Sequence, residues 1–287
     1  MNKIHKILFP TDFSETAQNA FRYCLTLADQ YEAEIFLAHA VFPEYEMLDL
    51  PVMAVKATRD KIEAAQNALN SFIELCVGQV QEKRQFKRNP VIHKEVDVGA
   101  PAGIIAQLAK REEADMVIMG TKGEHNALEK TLGSVTTGVI EQAHCPVLVV
   151  PENAEWKPAH VVAYATNLSE ADPYHVWKAA QMLAPFHPVM HVVHVSNGKA
   201  ESNNVDLAEV EEFFQKNNNN TPALQITFHE LKRTSVTDGL EEFVDAHEVD
   251  MLVMFTPHHN WLDRLLRASN TKKMALETPV PLLLLKN

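Results

Sequence analysis

Asp115-Met116-Val117-Ile118-Met119-Gly120 is one acidic residue followed by an unbroken apolar run, and Asp250-Met251-Leu252-Val253-Met254-Phe255 repeats it 135 residues later. The same offset carries Pro146-Val147-Leu148 onto Pro281-Leu282-Leu283 and Ser134 onto Ser269. Nearer the N-terminus, Pro10-Thr11-Asp12-Phe13-Ser14-Glu15 aligns with Ala165-Thr166-Asn167-Leu168-Ser169-Glu170 at an offset of 155, which also places His39 on His194. A unit of this length is a domain rather than a solenoid repeat. The reading is therefore two copies of one domain, at 1–151 and 160–287, joined by a linker at 152–159.

Within each copy, short apolar runs alternate with longer amphipathic ones. Ile7–Phe9, Ile35–Ala40, Met116–Met119 and Val147–Val150 are nearly continuous in apolar residues, as strands covered on both faces must be. Ala17–Tyr31 and Ala102–Arg111 have helical spacing, with Ala20, Cys24, Leu27 and Ala28 on one stripe and Ile104, Ile105, Leu108 and Ala109 on another. The spacing also predicts a long helix over Lys56–Gln85, with Ile62, Ala65, Leu69, Phe72, Ile73 and Cys76 on one side. Its shorter counterpart is Leu207–Lys216, followed by a polar loop at Asn217–Asn220. Strands alternating with helices make βαβ units, hence an α/β fold on a parallel sheet.

Bulk composition narrows the function classes. At 46% hydrophobic and 22% charged residues, the 287-residue chain is globular rather than disordered or fibrous. Its net charge of −12 argues against a nucleic-acid surface, which needs clustered Lys and Arg. The apolar parts of Met1–Phe9 and Leu282–Leu285 are too short for a signal peptide or a bilayer span, so no membrane partner is expected. Cys24, Cys76 and Cys145 form no CxxC pair, which fits reduced thiols and a cytoplasmic location.

Glycine is scarce and unevenly placed. Nine of 287 residues are glycine, against roughly 7% in ordinary soluble proteins, and Gly120, Gly123, Gly133 and Gly138 crowd together. Gly120-x2-Gly123-x9-Gly133-Ser134 runs from the end of a strand to the start of a helix. Such glycines allow φ > 0 and let backbone approach a ligand. A helix start beginning at Ser134 turns unpaired N–H groups and the positive end of the dipole outward, which suits a phosphate. The bland reading is an ordinary turn with Ser134 as an N-cap. Against it, the second copy has Phe255, His258 and Ala268 at the three glycine positions. A turn that merely needed glycine would need it in both copies. In an open parallel sheet, Pro10-Thr11-Asp12 and Gly120 should then share one crevice beyond the strand ends.

Together with His39, Val98-Gly99-Ala100-Pro101 and Cys145-Pro146-Val147-Leu148-Val149-Val150, these motifs resemble the universal stress protein family, over both copies. The resemblance implies two tandem Rossmann-like (adenine nucleotide alpha hydrolase-like) domains, each a mostly parallel five-stranded sheet with helices on both faces. It also implies ATP, with or without Mg²⁺, in the first domain. Pro10, Thr11, Asp12 and Ala40 would lie along the adenosine. Met119, Gly120 and Gly123 would line the ribose and phosphate path, with Gly133, Ser134, Val135 and Thr136 offering N–H and hydroxyl groups to the phosphates. Lys122 would approach a phosphate or stand as a solvated loop charge beside Glu124 and Glu129. Asp12 has a turn-capping role as its alternative. Asn167, Phe255 and His258 would leave the second site degenerate.

No GxxxxGK[ST] or GxGxxG motif is present. No nucleophile elbow or spaced carboxylate pair marks a catalytic centre, so the chain reads as a non-enzyme in which any ATP hydrolysis is slow. No metal site is expected, since His191 and His194 would point to opposite faces of a strand. Pro257–Leu262 and Arg264–Arg267 read either as a partner surface or as a cover over a vacated pocket. The alternative function is a non-catalytic interaction scaffold with vestigial pockets and an unidentified protein partner. A nucleotide-dependent transferase is disfavoured. The apolar fifth strands, Val147–Val150 and Leu282–Leu285, are association liabilities if left unpaired, and the resemblance implies domain pairing within the chain or a homodimer.

Overall fold

The computed structural model describes residues 4–42, 51–121, 133–168, 172–196, 207–217, 225–255 and 278–286. The chain divides into two compact units, Ile4–Trp156 and Lys157–Asn287. In the first, β1 (Lys6–Pro10), α1 (Glu15–Tyr31), β2 (Glu34–Val41), α2 (Pro51–Lys83), β3 (Ile92–Val98), α3 (Pro101–Arg111), β4 (Met116–Gly120), α4 (Ser134–Gln142) and β5 (Val147–Val150) alternate among the described residues. Every pairing within it is parallel, in the order β3-β2-β1-β4-β5. The first two crossovers move one way along the sheet and the last two the other. Right-handed connections therefore put α1 and α2 on one face and α3 and α4 on the opposite face. In agreement, α1 packs on α2 and α3 on α4.

The second unit repeats the plan with β6 (Val161–Thr166), α5 (Asp172–Met182), a 3-10 turn at Ala184–Phe186, β7 (Val189–Ser196), α6 (Leu207–Asn217), β8 (Gln225–Lys232), α7 (Val236–Ala246), β9 (Met251–Phe255) and β10 (Leu282–Leu285). Its strands are also all parallel, in the order β10-β9-β6-β7-β8. The long helix starts at Pro51, five residues before the expected Lys56, and Asn217 closes α6 rather than opening a loop. Residues 218–220 lie outside the described residues.

The repeat extends to backbone detail. Asp115 Oδ2 accepts from the N–H groups of His5 and Lys6 at 2.7 and 2.9 Å, and Asp250 Oδ2 accepts from those of His160 and Val161 at 3.0 and 2.9 Å. Left-handed residues recur at the same places: Phe13 and Leu168 after the first strand, Glu32 and His187 after the first helix, Glu113 and Glu248 before the fourth strand. Each pair gives the main chain the same left-handed step in both copies.

The core follows the apolar runs. Ile7, Leu8 and Phe9 are wholly buried, and Phe9 packs on Phe21 of α1 with ring centroids 4.9 Å apart. Phe21 meets Phe72 of α2 at 5.2 Å, so the stripe Ala65, Leu69, Phe72, Cys76 and Val80 seats α2 against α1 and the sheet. Fully burying a side chain of phenylalanine's size contributes about 1.5–3 kcal/mol. After β5 the chain stays with the first unit through Trp156: Asn19 Nδ2 donates to the Ala154 carbonyl at 3.1 Å, and the Arg84 guanidinium lies 5.3 Å from the Trp156 ring centroid.

Candidate functional site

The strand order of the first unit reverses between β1 and β4. Connections leaving their carboxyl ends diverge to opposite faces, which leaves a crevice where ligands of open α/β sheets bind. Pro10, Thr11, Asp12, Ala40, Met119, Gly120, Gly133, Ser134, Val135 and Thr136 all lie at this end of the sheet. Lys122 and Gly123 lie outside the described residues, as do Glu124 and Glu129, the second-copy positions His258, Ala268 and Ser269, and the stretches Pro257–Leu262 and Arg264–Arg267.

The β1 side is a tightly bonded turn. Pro10 pairs with Ala38 of β2, and the Thr11 N–H donates to the Ala38 carbonyl at 2.8 Å. Thr11 Oγ1 accepts from the Phe13 N–H at 3.0 Å, a contact that goes with Phe13's left-handed φ of 68°. Asp12 Oδ1 accepts from both the N–H and the hydroxyl of Ser14, at 3.1 and 2.7 Å. Ser14 Oγ in turn accepts from the Ala17 N–H at 3.1 Å, capping α1. Asp12 is thus an Asx-turn residue in this structure. The His39 ring holds the turn from the β2 side, its Nδ1 donating to the Thr11 carbonyl at 2.8 Å while Phe13 packs on it at 4.6 Å. Ala40, half-buried, stands one residue beyond His39 and opposite Asp97 of β3.

The β4 side is open by comparison. Met119 is buried, and at Gly120 an added Cβ would stand 3.1 Å from the Thr16 methyl and 3.7 Å from Ala20 Cβ. The Gly133 N–H donates to the Thr121 carbonyl at 3.0 Å, bringing the start of α4 back to the end of β4. Thr136 Oγ1 donates to the Gly120 carbonyl at 3.2 Å, so this buried hydroxyl braces the turn. Gly133 is the N-cap of α4 and supplies no side-chain hydrogen bond, whereas Ser14 and Ser235 cap α1 and α7. The first N–H groups of a helix have no intrahelical acceptor. At α4 those belong to Ser134, Val135 and Thr136, with Ser134 exposed.

One expectation is corrected here. Among the described glycines only Gly99 has a positive φ; Gly133 sits at −57°, which any residue adopts. The motif's described glycines therefore provide space, at Gly120 against Thr16, and not unusual backbone angles. Thr16 and the Ser14 cap were missed in the sequence reading, although a serine three residues before Ala17 is an N-cap signal.

The second unit keeps the turn and fills the space. Thr166 Oγ1 accepts from the Leu168 N–H at 2.9 Å, and His194 Nδ1 donates to the Thr166 carbonyl at 3.2 Å, matching Thr11 and His39. Where Gly120 faces Ala20, Phe255 instead stacks on His175, centroids 3.5 Å apart and 17° from parallel. Beneath them the buried Asp172 accepts from Tyr164 Oη at 3.0 Å and from Thr166 Oγ1. Burial holds the His175 pKa below its usual value, against the opposing pull of Asp172. His175 Nδ1 has no partner among the described residues. Asn167, exposed, stands in the place of Asp12.

His194 is buried and His191 half-exposed, and their spacing puts them on opposite faces of β7. Among the described residues no group of three or more His, Cys, Asp or Glu side chains is arranged to hold a metal ion, and no helix is long and apolar enough to cross a membrane.

Comparison with known proteins gives the lineage. The model of the universal stress protein family matches residues 3–151 and again 159–286. Two universal stress proteins of Methanocaldococcus jannaschii, MJ0531 and MJ0577, are 32% and 34% identical, over 52% and 50% of this chain and 83% and 93% of their own lengths. Among solved structures, a universal stress protein from Archaeoglobus fulgidus superposes with a TM-score of 0.68 over 98% of this chain and 96% of its own, at 17% identity. A putative universal stress protein from Pseudomonas aeruginosa gives 0.57 over 99% and 93%, at 15% identity. With the repeated βαβ units and two matches to one family model, the chain belongs to the universal stress protein family and carries its domain twice.

Proposed function

We propose that the first domain binds ATP, with or without Mg²⁺, and that this occupancy is read by a protein partner in a cytoplasmic stress response. The observation that carries the reading is the α4 start: a helix N-terminus capped by glycine alone, bonded back to β4 beside the reversal of strand order. Phosphates would accept from the N–H groups of Ser134, Val135 and Thr136, with Gly120, Gly123 and Gly133 leaving room for them and Lys122 adding a cation. Pro10, Thr11, Asp12, Ala40 and Met119 would line the nucleoside. A chain of net charge −12 holds an anion best through such local backbone donors. The second domain has a structural or regulatory role, since Phe255 and His175 occupy the corresponding space. No residue here is proposed as a catalytic acid, base or nucleophile, so hydrolysis, if it occurs, is slow.

Titration of the full chain with a fluorescent ATP analogue, with and without Mg²⁺, tests the reading. Saturable binding that Gly133→Phe abolishes is expected. Absence of saturable binding, or undiminished binding by that variant, would favour a scaffold with vestigial pockets. The Phe255–His175 stack is the observation that points toward that second reading.

A further inference from the structure

His191, His229 and His247 come from β7, β8 and the C-cap of α7, and play no part in the site above. Their ring centroids are 5.1, 5.4 and 5.5 Å apart. His191 Nδ1 and His229 Nε2 face each other at 3.1 Å, and Thr227 Oγ1 lies 2.6 and 2.9 Å from them. His247 stacks on Phe243 at 3.8 Å, and its Nδ1 donates to the Phe243 carbonyl at 3.1 Å.

We infer that these three histidines form a proton-operated latch holding α7 and the edge strand β8 onto the second sheet, closed when neutral and opened by acid. A bond between two imidazole nitrogens needs one N–H and one lone pair. One proton can be accommodated, because the other ring changes tautomer and accepts. A second proton is opposed, since two cationic rings then abut beside a third ring and can no longer bond to each other. Among the described residues the surroundings supply no anion to offset this: Thr227 Oγ1 can accept from either ring but carries no charge. Opposite His191, β6 presents Ala163, β8 presents Thr227, and α7 presents Phe243 and His247. The charges acting on His191 are those of His229 and His247.

Burial, then the neighbouring imidazoles, lowers the pKa of His191 and of His229 below the usual histidine value. A base with a lowered folded-state pKa binds fewer protons folded than unfolded. Its stabilising contribution is complete above about pH 6.5 and is lost as pH falls below that value. Each proton so withheld changes the opening constant by about tenfold per pH unit between the two pKa values.

Hydrogen exchange on the full chain at pH 7.5 and 5.5, corrected for intrinsic exchange, tests the latch. Opening constants of β8 and α7 amides should rise at least ~10-fold on acidification, while those of β1 and β2 change by less than ~3-fold. His229→Gln should remove most of this pH dependence; if it fails to fold, the exposed His247→Gln serves in its place. Equal pH dependence in wild type and variant, imidazole resonances of His191 and His229 titrating as in a free peptide, or abolition of the effect by EDTA would each overturn the proposal.

Discussion

Gly138 belongs by sequence to the glycine cluster, but its role is in packing, and one substitution separates the two. It lies within α4, and a Cβ there would stand 2.7 Å from Ala102 Cβ on α3, where carbon atoms normally stay 3.5–4 Å apart. Replacing glycine by alanine inside a helix ordinarily gains about 0.8–1 kcal/mol. Here the helices must separate by roughly 1 Å, and overpacking of this kind costs about 1–3 kcal/mol. Gly138→Ala should therefore be neutral to destabilising by about 2 kcal/mol. Gly78 of α2 is the control, because a Cβ there meets nothing within 4 Å. Gly78→Ala should stabilise by about 0.5–1 kcal/mol. Urea unfolding followed by circular dichroism would compare the two midpoints at unchanged m-value. Ala102→Gly in the Gly138→Ala background should recover much of the loss, as coupling between touching residues requires. Equal stabilisation by Gly78→Ala and Gly138→Ala would refute the close α3–α4 approach.

Further expectations concern other parts of the molecule. Gly133→Phe should weaken the ATP analogue by at least ~100-fold, from loss of charge-assisted bonds worth about 1.5–3 kcal/mol each; an unaltered Kd in the variant, once circular dichroism shows it folded, would contradict the assigned phosphate path. Asp250→Ala should destabilise the second domain by about 1–3 kcal/mol by orphaning the Val161 N–H, while the His160 N–H keeps the Pro158 carbonyl at 2.9 Å, as monitored by amide exchange in β6; unchanged protection there would count against the tie. Burial raises the Cys24 thiol above its usual range and pushes Cys76 up to about 11. Because only the thiolate reacts, labelling of both with iodoacetamide at pH 8 should be negligible in the native protein and complete after unfolding, and rapid native labelling would argue against the packed core.

The sequence was most readable where both faces of an element are covered. β1, β2, β4 and β5 are continuous apolar runs because helices lie above and below them, and the 135-residue offset transferred β4 directly to β9. The edge strands were not read. β3, Ile-His-Lys-Glu-Val-Asp-Val, and β8, Gln-Ile-Thr-Phe-His-Glu-Leu-Lys, mix charges into the pattern, as exposed edges do to discourage unwanted pairing. For the candidate site, chain order alone brought the right segments to one end of the sheet. The need for glycine was misassigned to φ, because a sequence shows a missing Cβ without showing what it would strike. His191 was read beside His194, its neighbour in sequence, whereas the fold sets it against His229 and His247, 38 and 56 residues away. Such a cluster has no signature in linear spacing.

The left-handed residues Phe13, Glu32 and Glu113, with their counterparts Leu168, His187 and Glu248, bear on how a duplicated domain diverges. The side chain changes in two of the three pairs and is glutamate in both copies of the third, and none of the six is glycine, although each strained residue forgoes roughly 1 kcal/mol that glycine would recover. At Phe13/Leu168 and Glu32/His187 the path of the main chain has outlasted the residues that trace it. For anyone engineering this scaffold, the six turns are fixed joints of known handedness. Ligand preference can be redrawn between them, and glycine installed at Glu32 or Glu113 would provide stability to offset the loss from such changes.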